Sequence, residues 1–218
     1  MICFVIAMDK EADPIIREMR VESDEKAGNK RILRGQLYNL PVAVVICGVG
    51  KVNAASGAQY AIDILHADKI VNIGVAGGLN EDCAVGKIYA ISHAVQYDFD
   101  LTQLNGGEIG TLDECEENYI RIPATTAYPL RKLATGDRFN DSKEDYKLLT
   151  EILKADIRDM EGGAIAQVCM HAGVPFRSYK IISDLAGSGS TTEQYLSNLN
   201  VCFKTMSREL ENVVNEVK

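Results

Sequence analysis

The chain has 218 residues, of which 46% are hydrophobic and 25% are charged, and its formal net charge is −8 at pH 7. This size is enough for a sizeable core, and we expect a single domain over residues 1–218. The acidic balance argues against a nucleic-acid partner or an anionic membrane surface, because either would require a basic face that neutralises phosphates.

The apolar runs of the chain are short, and the longest are Ile2–Met8 and Pro41–Cys47. Both fall far below the roughly 20 residues that a membrane-spanning helix needs, and no basic segment of a signal peptide precedes the first run. The six cysteines include no Cys-x-x-Cys pair, and the three histidines form no zinc-binding pattern. We therefore expect buried, reduced thiols in a cytoplasmic protein without a metal.

Short runs rich in β-branched residues alternate with longer helical patterns along the chain. The predicted strands are Ile2–Met8, Arg31–Leu37, Val42–Cys47, Lys69–Ile73, Lys87–Tyr97, Arg131–Thr135, Asp156–Met160 and Phe176–Ile182. The predicted helices are Glu11–Met19, Lys51–Leu65, Ser142–Lys154, Ala164–Ala172 and Thr192–Val217. This order predicts an α/β fold, in which a mostly parallel sheet carries helices on both faces. The polar segment Asn105–Glu117 has no periodicity and predicts a mobile loop near a site or an interface.

Three acidic residues lie just past predicted strands. Glu11, Glu161 and Asp184 each follow a short strand-like run. A single carboxylate in such a place is most simply a helix cap or a partner of the helix dipole. Because ligands of open α/β sheets bind beyond the carboxyl ends of the strands, three such carboxylates together favour one site for acid–base chemistry on a small polar molecule.

Two glycine-rich turns follow predicted strands. Gly48–Lys51 is not a dinucleotide fingerprint, because Asn53 stands where the third glycine belongs, and it is not a Walker A loop, because Val45 and Val52 occupy required positions. It is most simply a tight strand-to-helix turn. Gly74–Gly78 ends a strand, and its small residues leave backbone amides open to a ligand.

Six segments, taken in order, resemble the motif set of the 5′-methylthioadenosine/S-adenosylhomocysteine nucleosidases, which belong to the nucleoside phosphorylase superfamily. The segments are Ala7–Glu11, Gly48–Ala55, Asn72–Leu79, Thr135–Phe139, Asp159–Glu161 and Ile182–Asp184. The resemblance extends from the first strand to the last helix. It implies a three-layer α/β/α sandwich around a twisted, mostly parallel mixed sheet, usually assembled as a homodimer.

The resemblance also implies a reaction, which is hydrolysis of the N-glycosidic bond of a purine nucleoside without a cofactor. Breaking this bond builds positive charge on the sugar and negative charge on the departing base, so a proton donor near purine N7 is a large aid. By resemblance Asp184 is that donor. Glu11 is similar in position to the general base that activates water.

The resemblance assigns further residues to substrate binding. Glu161 corresponds to the carboxylate that binds the ribose hydroxyls, and Met160 packs on the sugar. Phe139 is expected to stack on the purine, and the backbone at Asn140 is expected to read its edge. The remaining expected substrate-binding residues are Met8, Val49, Val75, Lys180 and Ser183.

The chain departs from the family at three places. Val75 stands where serine is common, and Lys180 stands where arginine is common. The side chain of valine cannot form a hydrogen bond, and lysine offers a point charge instead of a planar fork. The segment Gly187–Thr192 lacks the aromatic residue that typically covers the 5′ substituent.

Two alternatives to a nucleosidase follow from the same residues. A phosphorylase would use phosphate in place of water, but such relatives commonly carry an arginine where this chain has Asn72, and Glu11 would repel phosphate. A nucleoside-binding protein that has lost turnover would explain Val75 and Lys180. Such a protein has little use for a buried, protonatable Asp184.

Overall fold

The computed structural model describes residues 1–218, of which Asn105 is described by its backbone alone. The strands are β1 (Ile2–Ile6), β2 (Arg20–Ala27), β3 (Lys30–Leu37), β4 (Leu40–Ile46), β5 (Lys69–Gly78), β6 (Ile88–Gln96), β7 (Ile120–Arg121), β8 (Leu130–Thr135), β9 (Ile157–Asp159) and β10 (Phe176–Leu185). The helices are α1 (Asp9–Glu18), α2 (Lys51–Asp63), α3 (Thr102–Asn105), α4 (Lys143–Lys147), α5 (Gly162–Ala172) and α6 (Thr191–Val217).

The strands form one mixed sheet in the order β10-β6-β8-β9-β5-β1-β4-β3-β2, and β7 pairs with β6. Strand β5 also pairs with β10, so the strands β5, β10, β6, β8 and β9 close into a ring. Five of the described strand pairings are parallel and five are antiparallel. The expected α/β class and mixed sheet are therefore confirmed, although the hairpins β2–β3 and β3–β4 and the short strands make the sheet less parallel than predicted.

Helices cover both faces of the sheet, as the three-layer prediction requires. Helices α1 and α6 bury their apolar sides against one face, where Ile15, Met206 and Leu210 are fully buried. Helices α2 and α5 cover the other face through small side chains such as Ala58 and Ala166. Two faces covered by helices leave the carboxyl ends of the strands as the place where a cleft can form.

Two local predictions were incomplete. Strand β2 was not predicted, because its residues are mostly exposed and charged and show no alternating apolar pattern. The helix predicted over Ser142–Lys154 is shorter, since α4 passes into a π-helical turn at Leu148–Ile152. The irregular segment after α3 is tied to α5, because Glu114 lies 2.5 Å from the His171 ring.

The six cysteines are unpaired, and five of them are buried. In the part of the chain that the structure describes, no helix combines the length and the apolar character that crossing a bilayer requires.

Helix α2 lies close to the sheet because Gly57 has no side chain. A Cβ at this position would lie 2.8 Å from Cys47 Cβ and 3.3 Å from Val5 Cγ1. The helix begins directly after Gly50, whose φ of 100° favours glycine. The close packing of α2 on the sheet therefore fixes the position of the turn before it. This turn contributes to the site described below.

We predict that Gly57→Val destabilises the protein by about 1–3 kcal/mol, because the added carbons push α2 away from the sheet. Urea unfolding monitored by circular dichroism measures this loss. Ser56→Val places the same side chain on the exposed side of α2 and is expected to change the free energy of unfolding by less than about 0.5 kcal/mol. Equal effects of the two substitutions would contradict the packing argument.

Candidate active site

A cavity of about 410 Å³ opens at the carboxyl ends of β1, β5, β9 and β10. This is the edge at which the sequence places the three acids. Nine of the predicted site residues line the cavity: Met8, Glu11, Val49, Val75, Phe139, Met160, Glu161, Ser183 and Asp184. The fold thus brings together residues that are distant in the chain, while the roles expected of them remain predictions.

Two predicted residues do not line this cavity. Lys180 is 1% exposed, and its ammonium group bonds Asp159 at 2.7 Å beneath the cavity wall. Asn140 follows Phe139, but its carbonyl oxygen accepts a hydrogen bond from Arg158 at 2.9 Å. Neither residue lines the cavity, and the substrate contacts expected of Lys180 and of the backbone at Asn140 stay predictions.

Glu11 stands in the first turn of α1 and is 4% exposed. Its Oε1 accepts a hydrogen bond from the Val75 amide at 2.9 Å. The contact requires Gly74, since a Cβ there would lie 2.7 Å from the same oxygen. Burial raises the pKa of Glu11, while the Val75 hydrogen bond and the Lys180 charge oppose the rise.

Glu161 precedes α5, and its Oε1 accepts a hydrogen bond from the Gly50 amide at 2.9 Å. The turn before α2 thus reaches across to β9. Burial raises the pKa of Glu161 to about 7, and the neighbouring Asp159 carboxylate contributes to the rise. The side chain therefore changes charge near neutral pH.

Asp184 owes its direction to a β-bulge in β10. Ile182 pairs with Ala76 and Asp184 pairs with Gly77, so Ser183 is an extra residue on this strand. Bulges of this kind redirect side chains and occur often beside active sites. The bulge places Ser183 Oγ where it donates to Asp184 Oδ1 at 2.7 Å.

The second oxygen of Asp184, Oδ2, is buried and has no hydrogen-bond partner among the described residues. Arg158 Nη2 lies 3.9 Å from it. Burial raises the pKa of Asp184, and the Ser183 hydrogen bond and the Arg158 charge oppose this. A buried carboxyl group with one unpartnered oxygen is suited to carry a proton towards a ligand.

Seven lining residues were not among the predicted site residues: Ala7, Ala76, Gly77, Arg138, Arg158, Asp159 and Tyr195. Arg158 stands one residue before the Asp159–Glu161 motif, within β9, so its position was a usable signal. Tyr195 lies in the second turn of α6, and the apolar periodicity of that helix indicated only packing.

Tyr195 supplies an aromatic side chain to the cavity from outside Gly187–Thr192, the segment that lacks one. The residue lies beyond Gly187–Thr192, and its ring meets Phe139 edge to face, with centroids 5.5 Å apart. Its hydroxyl lies 3.9 Å from Met8 Sδ. An aromatic wall therefore exists in this cavity, but the last helix supplies it.

The cavity therefore combines a buried carboxyl group, a second carboxylate fixed by a backbone amide, and an aromatic wall. Two carboxyl groups in different surroundings can serve as acid and base in the same reaction. The wall can hold a planar ring by stacking.

Comparison with known proteins gives relatives over almost the whole chain. The family model of the phosphorylase superfamily matches residues 1–216. A 5′-methylthioadenosine/S-adenosylhomocysteine nucleosidase of Exiguobacterium sp. is 30% identical over 195 residues, which are 83% of this chain and 83% of the relative.

Two solved structures are similar to this fold. The nucleosidase of the same name from Colwellia psychrerythraea, in complex with adenine, has a TM-score of 0.90 and 26% identity, over 99% of this chain and 94% of that chain. A futalosine hydrolase of Helicobacter pylori has a TM-score of 0.89 and 25% identity, over 99% of this chain and 97% of that chain.

We predict that Glu161→Gln gains stability relative to the wild type as the pH rises. The pKa of Glu161 is about 7 in the folded protein against 4.5 as its ordinary value. Between these two pH values the folded state binds more protons than the unfolded state, so raising the pH destabilises the wild type. Glutamine removes this loss, and we expect a relative gain of roughly 1–3 kcal/mol between about pH 5 and pH 8.

Urea unfolding at four pH values across this range measures the gain. The exposed Glu151→Gln is the matched control, for which we expect a constant difference from the wild type. A difference for Glu161→Gln that does not change with pH would refute the raised pKa.

Proposed function

Because the chain belongs to the phosphorylase superfamily, and within it to the 5′-methylthioadenosine/S-adenosylhomocysteine nucleosidases, we propose that it hydrolyses the N-glycosidic bond of these two purine nucleosides and releases adenine. The observation that carries the proposal is the position of Glu11 and Asp184 in one cavity, each with a raised pKa. Two buried carboxyl groups in one cavity suit general acid–base catalysis.

In the proposed reaction the bond between ribose C1′ and purine N9 breaks, and its electron pair moves to the purine. Asp184 gives its proton to N7, so the base leaves as a neutral molecule. The oxygen of a water molecule forms the new bond to C1′, and Glu11 takes a proton from that water. The unpartnered Oδ2 of Asp184 supports the first role.

The other lining residues hold the substrate. Glu161, fixed by the Gly50 amide, accepts hydrogen bonds from the ribose hydroxyls. Met160 packs on the sugar, and Phe139 stacks on the purine. Tyr195, which contacts both Phe139 and Met8, covers the 5′ substituent.

Water is favoured over phosphate as the nucleophile because the sugar side of the cavity is acidic. Glu11 and Glu161 are both there, and Lys180 beneath them is bound to Asp159. Asn72, where phosphorylases commonly have arginine, is buried and donates a hydrogen bond to the Val5 carbonyl at 3.0 Å. A doubly charged phosphate would be repelled at this place.

We further propose that the protein is a homodimer and that it is located in the cytoplasm. Two apolar residues of the cavity wall, Val49 and Phe139, are 45% and 50% exposed, and a partner subunit would cover them. We expect a dimer at micromolar concentration by analytical sedimentation. A monomer with undiminished activity would contradict this part of the proposal.

We predict that Asp184→Asn lowers turnover of 5′-methylthioadenosine by roughly 10²-fold or more, because one general acid contributes about 10²–10⁴. Glu11→Gln, which keeps the shape of the side chain but cannot take the proton from water, is expected to lose a similar factor. Release of free adenine measures both rates. Binding of the nucleoside, followed by calorimetry, is expected to persist.

The nucleophile is tested by a panel of nucleosides that includes S-adenosylhomocysteine and futalosine, with and without phosphate. Hydrolysis predicts base release that does not depend on phosphate. Strict phosphate dependence would favour a phosphorylase, and binding without release from any member would favour a nucleoside-binding protein.

A further inference from the structure

Arg158 is a largely buried cation that lines the cavity beside Asp184, and its side chain is 12% exposed. Its guanidinium group is held on two sides. Nη1 donates to the Asn140 carbonyl at 2.9 Å, and Nη2 donates to Thr191 Oγ1 at 3.3 Å. The side chain is therefore fixed before any ligand binds.

Gly77 lets this guanidinium lie beside Asp184. A Cβ on Gly77 would lie 2.8 Å from Asp184 Oδ2 and 3.1 Å from Arg158 Nε. With glycine there, Arg158 Nη2 and Asp184 Oδ2 face each other at 3.9 Å, which exceeds hydrogen-bond length. The two groups thus present separate polar sites on one wall.

These two sites differ in what they offer to a ligand. A guanidinium group has five N–H donors and no acceptor, and a protonated carboxyl group donates through its O–H. When Asp184 carries the proton for the reaction, both groups are donors. This wall then complements a ligand edge with two adjacent acceptors.

A 6-oxopurine has such an edge. Its N7 and O6 are both acceptors, whereas a 6-aminopurine presents an N7 acceptor beside an N–H donor. If Asp184 donates to N7, the substituent on C6 lies on the same side of the base as Arg158. An oxo group accepts a hydrogen bond from the guanidinium. An amino group instead points its hydrogens at the N–H groups of Arg158 or at the Asp184 carboxyl group.

The charge that develops in the reaction favours the same match. When the bond to the sugar breaks, its electron pair moves into the base, and in a 6-oxopurine part of this charge reaches O6. A fixed cation at that position stabilises the departing base. The exocyclic nitrogen of a 6-aminopurine accepts this charge less readily.

We propose that Arg158 reads the substituent on purine C6 and enables this site to cleave 6-oxopurine nucleosides as well as 6-aminopurine nucleosides. The inference rests on the proposed nucleosidase function. It adds a second class of leaving base and a residue that determines specificity for it.

The first test uses the wild-type protein with 5′-methylthioadenosine and 5′-methylthioinosine, which differ in the substituent on C6 and in the proton that the oxo compound carries on N1. We expect kcat/KM for the two substrates to agree within about thirtyfold. A larger preference for the amino compound would overturn the inference and leave the proposed function intact. Release of base from neither compound would overturn both.

The second test compares substrate ratios in variants. Arg158→Met is expected to lower kcat/KM for 5′-methylthioinosine by roughly ten- to a hundredfold more than for 5′-methylthioadenosine, as loss of a charge-assisted hydrogen bond implies. A general loss of structure would lower both rates together. A ratio that changes by less than about tenfold would overturn the role of Arg158.

Two further variants complete the design. Arg158→Lys keeps the charge without the planar fork and is expected to give an intermediate ratio. Arg131, which donates to the Asp82 carbonyl outside the cavity, provides the matched control. Arg131→Met is expected to leave the ratio unchanged, and a shift equal to that of Arg158→Met would overturn the assignment.

Discussion

The site depends on one buried ion pair, between Lys180 Nζ and Asp159 Oδ2, whose side chains are 2% and 1% exposed. Asp159 also accepts hydrogen bonds from Thr135 Oγ1 at 2.5 Å and from the Gly162 amide at 2.8 Å. A buried charge is tolerated only when it is paired and its remaining hydrogen-bonding capacity is satisfied. The pair joins β9 to β10, and its cation lowers the cost of keeping Glu11 and Glu161 nearby.

The ionisation of Glu11, Glu161 and Asp184 affects the stability of the fold, because all three carboxyl groups are held inside the protein. Each carboxyl group is fixed by an amide or a hydroxyl: Glu11 by a β5 amide, Glu161 by an amide of the turn before α2, and Asp184 by the hydroxyl of Ser183, its neighbour in β10. Burial raises the pKa of all three. Desolvation that suits acid–base chemistry opposes ionisation, so the site is built at some expense of stability at higher pH.

Much of this could be read from the sequence, and the limits have physical causes. The motif acids Glu11, Glu161 and Asp184 follow strands whose apolar patterns are strong, so their convergence was predictable. The sequence alone could not show that Lys180 points into the protein and does not line the cavity. The hydrogen bond from Arg158 to the Asn140 carbonyl joins distant segments, and no local pattern announces it. Strand β2 escaped prediction because both of its faces are polar.

That polar strand has a consequence for how the protein associates with other chains. The ring through β5 and β10 removes free edges from one half of the sheet, and β2 forms the end of the other half. An unpaired strand edge is a template on which another chain can add. Five of the eight residues in β2 are charged: Arg20, Glu22, Asp24, Glu25 and Lys26. Extension of the sheet into a neighbouring molecule would bring these charges together, so β2 protects the folded protein from edge-to-edge aggregation.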